Sequence, residues 1–287
     1  MFRGINTTVI GDSHVKKGKV CQDSSGTVVS DEYAIAAVAD GHGSARHFRS
    51  DVGSRIAVKI TCGLLSRYLD RMDFRERFKT NPDFILSQLE KQILMKWTEA
   101  VEEYHREHPV TEAEKEELKQ VESKRTGRRR RSSESGSGDG NGAAGDRSEV
   151  IAAYGTTILA AAMTRDLAFG IVLGDGGFVV LDDADRIFIP VEDPNARANY
   201  TSSLCNTNAI RYFEHWHSME KIRALFVSTD GLYKSFASEE DFLRYHGLIA
   251  RMYEDPERTL TSLNHNFEKR TREGSGDDIS MALIYRE

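Results

Sequence analysis

The sequence has 287 residues, enough for one large domain or two small ones. Hydrophobic residues at 39% and charged residues at 29% suit a globular protein, and no apolar run approaches the ~20 residues that cross a bilayer. A net charge of −6 argues against duplex nucleic acid as a partner, because binding to a phosphate backbone needs a basic face. The opening Met1-Phe2-Arg3-Gly4-Ile5-Asn6 lacks the apolar core of a signal peptide. Cys21, Cys62 and Cys205 are widely spaced and odd in number, so they make no disulfide framework. A reducing, cytoplasmic location with no membrane partner is the expectation.

In chain order, the first strand expected is residues 32–38, ending at Val38-Ala39-Asp40-Gly41-His42-Gly43. Residues 51–69 follow as a helix carrying Val52, Ile56, Ile60, Leu64 and Tyr68 on one face. Asn81-Pro82 introduces a second helix, with Phe84, Leu86, Leu89, Ile93, Trp97, Val101 and Tyr104 at steps of mostly three and four. Thr111-x-x-Glu114 forms a capping box opening a polar helix to about residue 123, a solvated arm. From about Glu122 to Gly145 the chain turns to arginine, serine and glycine, with no sizeable apolar residue after Val121. Such a segment buries too little surface to offset its ordering entropy, so a flexible insertion is expected within residues 122–148 of one 1–287 domain. Arg128 to Arg131 beside Ser132 and Ser133 reads as a solvated linker.

After the insertion the period shortens. Residues 156–163, 167–173, 178–181 and 186–189 are apolar runs joined by short Asp- and Gly-rich turns, and are expected to form one antiparallel meander. Further strands are expected at 224–228 and 279–285, and helices at 238–253 and 258–271. Strands in runs followed by helices in runs indicate an α+β domain.

An acidic residue recurs where core strands end: Asp40, Asp175 in Leu173-Gly174-Asp175-Gly176-Gly177, Asp230 in Ser228-Thr229-Asp230-Gly231, and Asp277 in Gly276-Asp277-Asp278-Ile279. Each alone is an ordinary turn signal. Together they suggest convergence, and two carboxylates ~4 Å apart repel by ~4 kcal/mol at an effective dielectric near 20, so such a cluster demands cations. Oxygen ligands select magnesium or manganese over zinc.

The order and spacing of these boxes, with Ser13-His14 … Gly18-Lys19-Val20-Cys21-Gln22-Asp23 before them and Tyr154-Gly155-Thr156-Thr157 between, resemble the metal-dependent type 2C protein phosphatases, specifically a bacterial branch. The resemblance runs from about Gly11 to Tyr285 and implies a four-layer αββα sandwich, two antiparallel sheets flanked by helices. It also implies a protein serine/threonine phosphatase that opposes a Ser/Thr kinase on phosphorylated protein substrates. Carried over by position, Asp40 bridges two Mn2+ or Mg2+ ions, the Gly41 carbonyl binds one, Asp230 and Asp277 complete a shell, and Asp175 serves a third, weaker ion. His42 matches a proposed general acid. Gln22 stands where many members have a metal-touching Glu, just before Asp23. The clamp for the substrate phosphate is unassigned among His14, Lys17 and Lys19. A catalytically weak or dead phosphoprotein-binding pseudophosphatase is the alternative. Cys205 to Arg211 has the Cys–Arg spacing of cysteine-dependent phosphatases but none of the glycines such a loop needs.

Overall fold

The computed structural model describes residues 1–116, 142–193, 201–253 and 255–287. Two five-stranded antiparallel sheets stack face to face. One runs in the order β1 (Phe2–Val9), β10 (Ile279–Arg286), β9 (Ile222–Ser228), β6 (Gly177–Asp182), β7 (Ile187–Phe188). The other runs β2 (Ser24–Val29), β3 (Tyr33–Ala39), β4 (Ile158–Thr164), β5 (Ala168–Leu173), β8 (Glu214–Ser218).

The alternation along β3 shows how the layers arise. Ala34, Ala36 and Val38 point into the inter-sheet core with Phe178, Val180, Leu225, Val227 and Ile284. Tyr33, Ile35, Ala37 and Ala39 point the other way, into a second core closed by α2 (Ser50–Leu69) and α4 (Pro82–Glu107). A period of two with both faces apolar is what a strand sandwiched between a sheet and helices requires. On the far side Phe226, Leu283 and Tyr285 pack under α7 (Glu239–Ala250) and α8 (Pro256–Glu273) through Phe242, Ile249, Leu263 and Phe267. The expected four layers are present. Among the described residues no helix is long and apolar enough to cross a membrane.

Helix α4 starts as its sequence implies: the Asn81 side chain accepts from the Phe84 N–H and Pro82 occupies the first turn. Leu86, Leu89, Ile93, Trp97 and Val101 are fully buried, but Phe84 is about half exposed. In α2 Val52 and Leu64 are buried as expected, together with Gly53, Ala57, Thr61 and Leu65, whereas Ile56, Ile60 and Tyr68 are only part-buried. Gly53 is required there: a Cβ would stand 1.9 Å from the Tyr154 carbonyl oxygen.

Three expectations change. The 156–189 meander does not exist, because β5 and β6 belong to different sheets. The chain crosses between them at Gly174-Asp175-Gly176, where Gly174 adopts φ +123°, a conformation open to glycine. The result is two hairpins, β4–β5 and β6–β7, one in each layer. The polar arm is also not free at its start. Residues 112–116 are helical, the Thr111–Glu114 capping box forms in both directions, and Glu114 is bonded to Arg49. The helix α5 (Gly142–Ala153) covers the last part of the expected 122–148 insertion; residues 117–141, which include the end of the expected polar helix and Arg128–Arg131, lie outside the described residues.

Candidate metal centre

Each sheet delivers acidic residues to the same end of the sandwich. Asp40 follows β3 and is held by its backbone. Its N–H donates to the Thr157 hydroxyl (2.9 Å), and its carbonyl accepts from the Thr157 N–H (2.9 Å) and the Thr156 hydroxyl (2.8 Å). The next two residues are tied in the same way, Gly41 N–H to the Gln22 carbonyl and His42 N–H to the Gly155 carbonyl, both at 3.1 Å. A Cβ on Gly41 would lie 2.6 Å from the Gln22 carbonyl oxygen and 2.8 Å from that of Ser50, so only glycine permits this packing. From the other sheet, Asp230 follows β9 as the first residue of α6 (Asp230–Tyr233), and Asp277 precedes β10.

Asp40, Gly41, Asp175, Asp230 and Asp277 line one cleft of about 790 Å³, along with Gln22, His14, Lys17, Lys19 and His42. The structure thus brings these residues to one cleft. Asp23 sits behind it: it is buried, does not line the cleft, and accepts a 2.7 Å bond from the Thr229 hydroxyl.

The electrostatics are those of an acidic cluster short of counter-charge. Burial, then the neighbouring Asp23 and Asp230 carboxylates, hold Asp40 well above the usual carboxylate range. Asp230 is close enough to Asp40 to add to that rise. Burial likewise raises Asp23, and raises Asp175 with help from Asp230.

Asp278, the neighbour of Asp277, has a different task. Its Oδ1 accepts from the Gly11 N–H (2.6 Å) and His14 Nδ1 (3.0 Å), and its Oδ2 from the Gln22 N–H (2.7 Å). It staples the N-terminal loop to β10. His14 is thereby committed to Asp278 through Nδ1, which weakens its claim as a phosphate clamp. Lys17 and Lys19 are exposed on the cleft wall, with Lys19 Nζ 3.3 Å from the Gly43 carbonyl. A third cation, Arg46, is exposed and lines the cleft too. Sequence reasoning missed it, although it stands only four residues after His42.

His42 packs its ring 4.8 Å from that of His47. Burial, followed by the adjacent His47, lowers its pKa to about 4. Cys205 borders the same cleft, but burial raises its thiol pKa, and Arg211 is exposed away from the lining. A protonated thiol without its arginine is no nucleophile.

Among the described residues no three His, Cys, Asp or Glu side chains stand pre-gathered as a metal shell. The donors that are present nonetheless fit divalent cations. Asp230 Oδ1 and Gln22 Oε1 are buried acceptors with no hydrogen-bond donor, and both residues line the cleft. The Gln22 amide is fixed by donation to the Ser50 hydroxyl (2.7 Å) and the His42 carbonyl (3.3 Å), which leaves its oxygen bare. Bare oxygens beside crowded carboxylates form an oxygen-only donor set of the kind hard cations occupy.

Comparison with solved structures returns the same fold over the full chain. The serine/threonine phosphatase Stp1 from Staphylococcus aureus is 14% identical with a TM-score of 0.59, covering 100% of this chain and 96% of that one. A serine/threonine phosphatase of S. agalactiae is 17% identical with a TM-score of 0.54, covering 100% of both chains. The catalytic domain of the serine/threonine protein phosphatase PstP, solved with 2 manganese ions, is 12% identical with a TM-score of 0.52, covering 99% and 97%. Comparison of the sequence with curated proteins returns no match. Residues 10–268 match the family model described as Protein phosphatase 2C, a span that holds Asp23, Asp40, Asp175 and Asp230 within it, and the chain belongs to the protein phosphatase 2C family.

Proposed function

We propose that this phosphatase hydrolyses phosphoserine and phosphothreonine in proteins, using divalent cations held at the cleft to activate water. The observation that carries this reading is the gathering of Asp40, Asp230 and Asp277 from both sheets on one cleft wall, with the Asp230 Oδ1 left unpartnered. Asp40, the Gly41 carbonyl, Asp230 and Asp277 would hold two Mn2+ or Mg2+ ions, with the Gln22 oxygen as a neutral donor toward the second and Asp23 supporting from behind. Bound there, the ions supply an activated water and neutralise charge on the phosphoryl group.

The remaining steps fall to side chains of the chain itself. Arg46, Lys17 and Lys19 bring positive charge to the cleft and draw in the phosphate. At neutral pH the His42 imidazole is uncharged, so it must gain a proton before it can give one to the departing alkoxide. The approach of an anionic phosphate favours that gain. The pseudophosphatase alternative draws no support from a cleft that keeps all of Asp40, Asp230 and Asp277. A phosphoprotein substrate, an opposing Ser/Thr kinase and a cytoplasmic location complete the proposal, the last consistent with three free cysteines.

The test is turnover of phosphothreonine and phosphotyrosine peptides by purified protein with and without Mn2+, with Asp40→Ala as control. Activity on phosphothreonine that requires the metal and is lost in the variant supports the proposal. Activity that survives excess chelator refutes it.

A further inference from the structure

Asp175 and Asp230 come to the cleft from different strands of the fold, each beside glycines whose close packing fixes the path of the main chain. Asp175 is set by its flanking glycines: a Cβ at Gly174 would meet Thr157 Cγ2 at 2.5 Å, and one at Gly176 would meet the Ser228 carbonyl oxygen at 2.3 Å. Asp230 is set by Gly231, where a Cβ would stand 2.0 Å from the Asp278 carbonyl oxygen. With the main chain packed closely beside both residues, their carboxylates meet at the cleft, and a cation between them offsets the repulsion.

That cation is already part of the chain. Lys234 lies four residues after Asp230, and its N–H closes the turn on the Asp230 carbonyl at 2.7 Å. At this spacing the side chain folds back over the first turn. Its ammonium donates to Asp230 Oδ2 and lies 3.6 Å from Asp175 Oδ2. The same Asp175 oxygen accepts a 3.0 Å bond from the Thr201 hydroxyl. Asp230 thus divides its two oxygens, Oδ2 to the lysine and Oδ1 to nothing within the protein.

We propose that Lys234 is a tethered cation that takes the place of a third divalent ion at Asp175, leaving Asp230 Oδ1 as the oxygen offered to the metal centre. This rests on the metal-dependent reading given above. An ammonium joined covalently to the ligand helix is present at fixed stoichiometry and is not removed by chelation. It also fills with a single charge a position where a divalent ion would need dehydration and several more oxygens. Asp175 in this chain is then a partner for lysine rather than a metal ligand. Its contribution is to hold the ammonium clear of Asp230 Oδ1.

Counting Mn2+ bound per chain tests this without reference to turnover. The free-ion electron paramagnetic resonance signal would be titrated for the full-length protein, with Lys234→Gln, Lys234→Arg and the double variant Lys234→Gln with Asp175→Asn. The expected result is one additional, weaker Mn2+ in Lys234→Gln, its loss in the double variant, and the wild-type count in Lys234→Arg, which keeps the cation. Equal counts in wild type and Lys234→Gln overturn the proposal. So does a wild-type protein that loses an ion on Asp175→Asn alone. Absence of Mn2+ binding in every protein refutes the metal centre itself and this inference with it, a pattern distinct from equal non-zero counts. Near-ultraviolet circular dichroism of each variant reports the native fold, and Asp175→Asn alone carries the test should Lys234→Gln unfold: an unchanged Mn2+ count supports the proposal and a lost ion overturns it.

Discussion

Two buried charge clusters lie on either side of the Tyr154-Gly155 turn, and they are built to opposite plans. In the first, the Arg49 guanidinium uses all five of its donors: two on the Glu114 carboxylate (2.8 and 3.0 Å), and one each on the His108 carbonyl (2.6 Å), the Pro109 carbonyl (3.2 Å) and the Tyr154 hydroxyl (2.8 Å). In the second, Asp40, Asp230 and Asp175 crowd together, and the acceptors Asp230 Oδ1 and Gln22 Oε1 go unpaired. Hydrogen bonding to Arg49 drives Glu114 down to about 2, whereas burial drives Asp40 well above its usual range. A closed cluster stabilises the protein as it stands. An open one destabilises it until something arrives, and that is the mark of a functional site. The two are coupled by geometry: Tyr154 carries the Arg49 bond, and its neighbour Gly155 holds the backbone of His42.

Substitution should separate the two plans. Asp40→Asn and Asp230→Asn remove turnover by at least on the order of 10³-fold in a steady-state assay with Mn2+, because the water loses its activating charge. Asp40→Asn keeps or raises the melting temperature of metal-free protein, since it removes a carboxyl crowded against Asp23 and Asp230. A fall in stability matching the fall in rate would erase the contrast between the clusters.

Arg49→Ala shows the reverse profile. It strands the Tyr154 hydroxyl and two carbonyls and costs about 2–4 kcal/mol in urea unfolding, discounted because Glu114 is partly solvated. Arg49→Lys keeps the charge but loses the fork, and recovers only part of that. A loss below about 0.5 kcal/mol in Arg49→Ala would make the knot an ordinary surface pair.

The pH dependence sharpens the comparison further. Glu114 has a folded pKa of about 2 against an ordinary value of 4.5. A carboxylate with a depressed folded pKa contributes stability that is complete above the unfolded value and lost as pH falls toward the folded one. The stability difference between wild type and Glu114→Gln should therefore be flat above about pH 4.5 and shrink from there toward about pH 2. A difference that grows on acidification would contradict the ion pair. The smallest effect is expected from deleting residues 122–145. With Glu114 and Arg49 both retained, turnover of p-nitrophenyl phosphate should stay within about tenfold.

Much of this architecture was legible in the residues. Apolar runs marked β3, β4, β5, β6, β9 and β10, because those strands are buried on both faces. The strands that escaped, β1, β2 and β8, all lie at sheet edges, and sequences such as Ser24-Ser25-Gly26-Thr27 and Glu214-His215-Trp216-His217 alternate too weakly to announce themselves. The crossing at Asp175 was hidden for another reason. A three-residue turn serves a hairpin within one sheet or a step between two, and only the partner strands decide which.

The candidate site divides in the same way. Asp40, Asp175, Asp230 and Asp277 stand out because strand ends bring glycine-flanked aspartates together. The pairing of His14 with Asp278, of Arg49 with Glu114 and of Lys234 with Asp175 joins residues far apart or on different elements, and no local spacing encodes them.

The most direct measurement is calorimetric titration of Mn2+ into wild type and Asp230→Asn, repeated in two buffers of different ionisation enthalpy so that proton release is counted. Burial and the neighbouring carboxylates favour the protonated form of Asp40, so wild type should bind Mn2+ and release protons as the cation displaces them, and Asp230→Asn, having lost a ligand, should bind much more weakly. Mn2+ binding of equal affinity in both proteins, or none in wild type, would contradict the claim that these aspartates form a cation site.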